Sequence, residues 1–233
     1  VFSEAARLLG DWKGEGAPPP PVPVPADPKG PRRIVVLDRP GSVQTNLLVG
    51  GPGIARTDPD VYALELAMTI YGGSFTARLV QNLRESKGYT YSPGAGASWM
   101  AGRGSVRTFA AVRNEVTGAA LNEVLYEMER MTTTEAADEE MERAFRKEAG
   151  SLAIALQTAS GVAEEVARFW DLGLPPEEVG RIVPGLARVT KADVRRASRR
   201  VFGTGAARIV AVGDAAAIRA ELATFGEVVE AAG

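Results

Sequence analysis

Hydrophobic residues along the chain fall into two rhythms. In "SVQTNLLVG", residues 42–50, Val43, Thr45, Leu47 and Val49 alternate with Gln44 and Asn46, which predicts a strand with one covered and one wet face. "RIVVLD" (33–38) and "ARIVAVGD" (207–214) are short apolar runs that read as strands, and 89–99 and 104–113, joined by "MAGRG", read as an antiparallel pair. The second rhythm is helical. Val61, Leu64, Met68 and Tyr71 recur at helix spacing after Asp58-Pro59, a capping residue followed by a first-turn proline, and Gly72-Gly73 stops the run. A further helix is predicted over "FTARLVQNLRES" (75–86), packing through Phe75, Leu79 and Leu83 and ended by Gly88. From Asn114 a helix carries Leu121, Val124, Leu125, Met128 and Met131, and "TTTEAADEEMER" opens a long one with Met141, Phe145 and Leu152 as its buried stripe. Shorter helices are predicted at 160–172, 175–183 and 190–202, the last capped by Thr190, with a final helix after the 207–214 strand.

Strands arrive in pairs rather than alternating singly with helices, so the expected fold class is α+β, an antiparallel or mixed sheet with helices packed on one face. Upstream, "SEAARLL" (3–9) reads as the end of a helix closed by Gly10. "APPPPVPVPADPKGPRR" (17–33) is too rich in proline for a helix or a central strand and should run as extended polyproline. The expected organisation is the tail of a preceding domain at 1–15, a linker at 16–32 and one domain at 33–233. The chain opens on Val1 without a methionine, so a processed or trimmed fragment is expected.

Composition narrows the chemistry. A net charge of −2 and a pI near 5.5 remove the electrostatic footprint of a nucleic-acid binder, and "RRASRR" (195–200) reads as a solvated helix face. No apolar run approaches the ~18–20 residues of a membrane span. With no histidine and no cysteine, the chain has no imidazole proton shuttle, cysteine nucleophile or thiolate zinc site, and no disulfides to indicate a compartment, so localisation stays open. "DEEMERAFRKE" (138–148) mixes both signs of charge and reads as a salt-bridged helix face rather than a carboxylate metal site. "GGPGIAR" (50–56) and "GAGASWMAGRG" (94–104) lack the continuation of a phosphate loop and read as turns, while Trp99 and Trp170 read as core packing.

One cluster survives, in "LVQNLRESKGYTYS" (79–92). Arg84 follows the apolar Leu83 at a helix tail, Gly88 turns the chain, and Tyr89 and Tyr91 would share a face of the next strand by their period of two. A guanidinium fork beside phenolic hydroxyls suits the grip of a carbonyl or a developing oxyanion. Spacing alone better fits an arginine paired with Glu85 or a helix C-terminus, beside tyrosines that are simply good strand formers.

The same residues carry a family resemblance. "YGGSFTARLVQNLRESKGYTYS", preceded by "RTDPDVYALELAMTI" and followed by "GRGSVRTFAAVRNEVTGAALNEVLYEM", resembles the second, non-catalytic half of the pitrilysin/insulinase-type zinc peptidases, the inverzincins. "GDWKG" (10–14), "GSVQTNLLVGGPGIAR" (41–56), "TEAADEEMERAFRKEAGSL" (134–152) and "ARIVAVGD" (207–214) extend it over nearly the whole chain, with Ala77 a departure from the "F-x-S-R-L" pattern. The resemblance implies two α+β half-shells around a chamber. One bears H-x-x-E-H and zinc; the other, without metal, contributes an arginine and a tyrosine seven residues later. Those positions are Arg84 and Tyr91, as supporting catalytic and substrate-binding residues, with Tyr89 a substrate-binding neighbour where the family usually has an apolar residue. The implied partners are a peptide substrate and a zinc-bearing half in the same chain, a twin chain or a separate subunit, with no metal ligand and no cofactor in this chain. From strand alternation alone, Gln44 and Asn46 on one strand and Ser105, Arg107 and Arg113 on another would suit a polar chamber wall, and equally a face turned to bulk solvent. A scaffold subunit of the same fold and a free peptide-binding module are the competing expectations.

Overall fold

The computed structural model describes residues 2–13, 26, 30–100 and 102–231. Its centre is a six-stranded mixed sheet made of β1 (Arg33–Asp38), β2 (Gln44–Pro52), β3 (Gly94–Ser98), β4 (Ser105–Arg113), β5 (Arg208–Gly213) and β6 (Glu227–Glu230), in the spatial order β3-β4-β2-β5-β1-β6. β1 runs parallel to β5 and β6, whereas β2 is antiparallel to both β4 and β5. Alternation fixes the register: Leu47 lies opposite Ala110 and Ala211, and Val49 opposite Thr108 and Ile209, and all six side chains are buried on the same face.

The helices are α1 (Phe2–Leu9), α2 (Val61–Tyr71), α3 (Thr117–Thr133), α4 (Asp138–Ala155), α5 (Ala159–Asp171), α6 (Ile182–Leu186), α7 (Lys191–Val201) and α8 (Ala215–Leu222). α2 is apolar around nearly its whole circumference, with Leu64, Leu66, Ala67 and Tyr71 essentially inaccessible. A helix of that kind must be covered on all sides; α2 is packed by β3, α3, α4, α6 and α7. The opposite face of the sheet stays open, with Gln44, Asn46, Leu48, Arg107, Phe109 and Arg113 exposed along β2 and β4. Helices on one face of a mixed sheet are the α+β architecture that the strand pairing predicts.

Several local expectations are corrected. α2 starts at Val61 rather than at Asp58-Pro59, because the Asp58 carboxylate accepts the Asp60 N–H (2.9 Å) and holds a turn ahead of the helix. Val43 is exposed, one residue short of β2. The predicted helix at 75–86 is a loop followed, after Arg78 and Leu79, by a π-helical segment at Val80–Ser86, and Phe75 is exposed rather than packed. The strand expected at 89–99 is confined to Gly94–Ser98. Gly50, Gly51, Gly94 and Gly96 lie in strands, not turns. Trp170 is 71% exposed, so it is not core. Of the α4 stripe, Met141, Phe145 and Leu152 are only partly covered and Ala144 is the residue fully buried. β6 carried no sequence signal strong enough to separate it from the end of α8. Most of the expected 16–32 linker lies outside the described residues.

The arginine run 195–200 lies on α7 with Arg196, Arg199 and Arg200 exposed, the solvated helix face expected, and two of its guanidiniums also make ion pairs. Arg196 and Arg200 reach from α7 to Asp60 at the start of α2, at 2.5 and 2.7 Å, and Arg200 also grips Asp58 at 2.6 Å. Tyr71 closes the other end of α2. Its fully buried hydroxyl meets Thr108 Oγ1 on β4 at 2.9 Å, and burial pushes the phenol above its ordinary pKa. Tyr71→Phe strands the Thr108 hydroxyl and should lower unfolding free energy by about 1 kcal/mol in urea titration, while leaving the far-ultraviolet spectrum unchanged.

Candidate functional site

At the β3 edge of the sheet, four pieces of chain surround a hollow of about 360 Å³: the Gly72-Gly73-Ser74-Phe75 loop after α2, the π-helical segment, residues 91–95 and Phe109 of β4. Its floor depends on glycine. A Cβ on Gly72 would stand 2.8 Å from the Ala95 backbone nitrogen, and Ala95 N–H donates to Gly72 O at 3.1 Å, so loop and strand touch without a side chain between them. Gly94 faces Phe109 across the strand pair, and a Cβ there would lie 2.5 Å from the ring; the ring fills the space the glycine leaves and walls the hollow.

Arg84 projects from the π-helical segment into this hollow. Its guanidinium carbon lies 4.7 Å from the centre of the Tyr91 ring and 5.7 Å from that of Phe75, so two aromatic faces hold it. Arg84 Nε is 3.3 Å from a Glu85 oxygen, a pairing of two side chains that both reach water and contributes little. Gly88, at φ +62, reverses the chain, and Tyr89 N–H closes the segment on Leu83 O at 2.8 Å. Tyr91 is 79% exposed, leaving its hydroxyl available to a ligand. Tyr89 packs against the core instead and does not line the hollow. Residues 89–93 form no strand, so Arg84 and Tyr91 meet through the turn rather than through a shared strand face. Sequence read Phe75 only as helix packing and Gly72 only as a helix stop, and did not single out Phe109 for the site; the pairing of Phe109 with Gly94 is visible only once the strand register is known.

The donor set does not suit zinc. Among the described residues no group of three or more histidine, cysteine, aspartate or glutamate side chains could hold a metal ion, and the chain has no imidazole or thiolate to offer. Nor, among them, is any helix long and apolar enough to cross a membrane. What the site offers is a fixed cation, a free phenol and an apolar wall, the equipment for holding a polar backbone group next to an apolar side chain.

Comparison with known proteins gives the family. Residues 1–148 match the family described as the peptidase M16 inactive domain. An uncharacterised zinc protease of Streptomyces coelicolor is 28% identical over 160 residues, 69% of this chain and 35% of the relative. The chain spans 35 to 40% of the length of the curated relatives it matches. Among solved structures, the peptidase M16 inactive domain from Pseudomonas fluorescens superposes with a TM-score of 0.75 at 26% identity, covering 83% of this chain and 46% of that one. A protease from Helicobacter pylori gives 0.81 at 16% identity over 91% of this chain and 51% of that one, a likeness of fold. With the family match extending over residues 1–148 of 233, the chain belongs to the peptidase M16 inactive-domain family.

Proposed function

We propose that this domain binds the backbone of a peptide substrate and supports its hydrolysis by a zinc-bearing homologous half, with Arg84 and Tyr91 as the supporting residues. The observation that carries the reading is their convergence on one open hollow at the sheet edge. The zinc-bearing half supplies the metal and the attacking water. In this domain, the Arg84 N–H groups and the Tyr91 hydroxyl donate to the substrate carbonyl oxygen, and they hold it more tightly as negative charge builds there. Stacking on Tyr91 and Phe75 fixes the guanidinium before substrate arrives, so little ordering remains to be done on binding. Tyr89 serves this role by buttressing the turn behind Tyr91. The 16–32 stretch joins the domain to a preceding unit, a reading supported by the greater length of the curated relatives.

The test is hydrolysis of a quenched fluorescent peptide by the complete two-half enzyme carrying Arg84→Ala or Tyr91→Phe. A fall in kcat/KM for both supports the reading; unchanged rates in both overturn it. The domain without its zinc-bearing half should cleave nothing.

A further inference from the structure

We propose that Asn82, seated between two glutamates of α3, is a positioning residue that holds the π-helical register and thereby aims Arg84 into the hollow; this rests on the role of Arg84 proposed above. Leu79 and Arg84 are five residues apart. At 3.6 residues per turn they would point about 140° away from each other, whereas in a helix closed from i to i+5 they stack on roughly one side. Leu79 is fully buried beside the hollow's floor, its Cδ1 2.8 Å from the place of a Gly72 Cβ. Arg84 reaches the same side because the helix is widened. Restoring α-helical winding would carry the guanidinium away from Tyr91.

π-helical turns are rare, so something must hold this one. Asn82 Nδ2 donates to Glu127 Oε1 at 2.8 Å and to Glu123 Oε2 at 2.9 Å. Its backbone oxygen accepts the Lys87 N–H at 3.0 Å, an i to i+5 bond of the widened turn. Carboxylates only accept, so the amide has one possible orientation. Its Oδ1 is left buried without a partner, a local cost consistent with a site kept for function. Glu127 is 1% exposed and its charge is met by Arg130 at 2.9 Å, which makes it a rigid anchor. At the entrance of the segment, Arg78 forks onto Glu140 of α4 with two 2.7 Å bonds. Burial would raise the Glu140 pKa, but the Arg78 fork and the Ala137 N–H hold it below its ordinary value. The segment is therefore pinned from behind to two helices.

The experiment uses the complete enzyme with Asn82→Ala and the exchange variant Asn82→Asp/Glu123→Gln/Glu127→Gln, in which donor and acceptors trade places and the amides introduced on α3 donate to the carboxylate introduced on the π-helical segment. We expect Asn82→Ala to lower kcat about 10- to 100-fold with KM little changed, and to abolish the ring-current shift of the Arg84 side-chain protons over Tyr91 in NMR spectra. The exchange variant should recover most of both, also if Asn82→Ala alone folds poorly. If Asn82→Ala lowers only the melting temperature, leaving kcat and the Arg84 shift intact, the inference is overturned. If instead the shift is lost while Arg84→Ala itself has no effect on hydrolysis, the positioning stands and the proposed function falls.

Discussion

Replacing Arg84 with alanine is expected to lower kcat/KM for peptide hydrolysis by the complete enzyme by about 10²- to 10³-fold, some 2.7–4 kcal/mol of transition-state stabilisation. The loss should fall mainly on kcat, because a preorganised donor binds the developing oxyanion more strongly than the ground-state carbonyl. Arg84→Lys should recover little: an ammonium lacks the planar fork and the stacking that the Tyr91 and Phe75 rings provide at 4.7 and 5.7 Å. Tyr91→Phe keeps the stack and removes only a hydroxyl, so about tenfold is expected, one neutral hydrogen bond's worth. Folding stability should hardly change in either variant, since the Glu85 pair that Arg84 loses is open to water. A scaffold subunit would show the opposite pattern, with catalysis indifferent to both residues. Steady-state kinetics paired with urea titration of the same samples separates the two.

Residues 79–92 also show how far sequence reasoning reaches. Regular alternation made β2 and β4 legible, because a sheet with one open face imposes a period of two that the side chains must obey. α2 was legible for the same reason, its spacing of apolar residues surviving a two-residue error at the start. The region from Gly72 to Pro93 was not. Its shape depends on contacts between pieces distant in sequence, Gly72 against Ala95 and Asn82 against Glu123 and Glu127, and local patterns contain none of them. Arg84 and Tyr91 were nonetheless picked out, by the family resemblance; the shared strand face by which spacing grouped Arg84, Tyr89 and Tyr91 is replaced in the structure by a π-helical turn and a left-handed Gly88. The arginine run at 195–200 was legible as an exposed helix face but its ion pairs were not: charge clustering says nothing about whether aspartates ahead of another helix wait opposite.

Those aspartates carry the second large effect. Asp60→Ala should lower unfolding free energy by about 2–3 kcal/mol at neutral pH, the loss of charge-assisted bonds from Arg196 and Arg200 to one carboxylate. Asp60 is 5% exposed while both guanidiniums reach solvent, so removing the carboxylate leaves no buried charge stranded and the loss stays below that of a fully buried pair. The Asp60 side chain makes no capping bond to α2, so the ion pairs and a small macrodipole contribution are what alanine deletes. The pH dependence follows from the direction of the shift. The Arg196 hydrogen bond, seconded by Arg200 against the opposing effect of burial, holds Asp60 below the ordinary aspartate value, and Arg200 does the same for Asp58. A carboxylate that binds protons more weakly when folded adds stability above its unfolded pKa of about 3.9, and that stability drains away as pH falls through the folded value. The wild-type protein should therefore lose stability more steeply than Asp60→Ala between about pH 5 and pH 2, and the two curves should converge at the acid end. Urea midpoints at pH 7, 5, 4 and 3 give the comparison. Curves that stay parallel throughout would assign the 2–3 kcal/mol to packing and leave the α2–α7 junction without an electrostatic role.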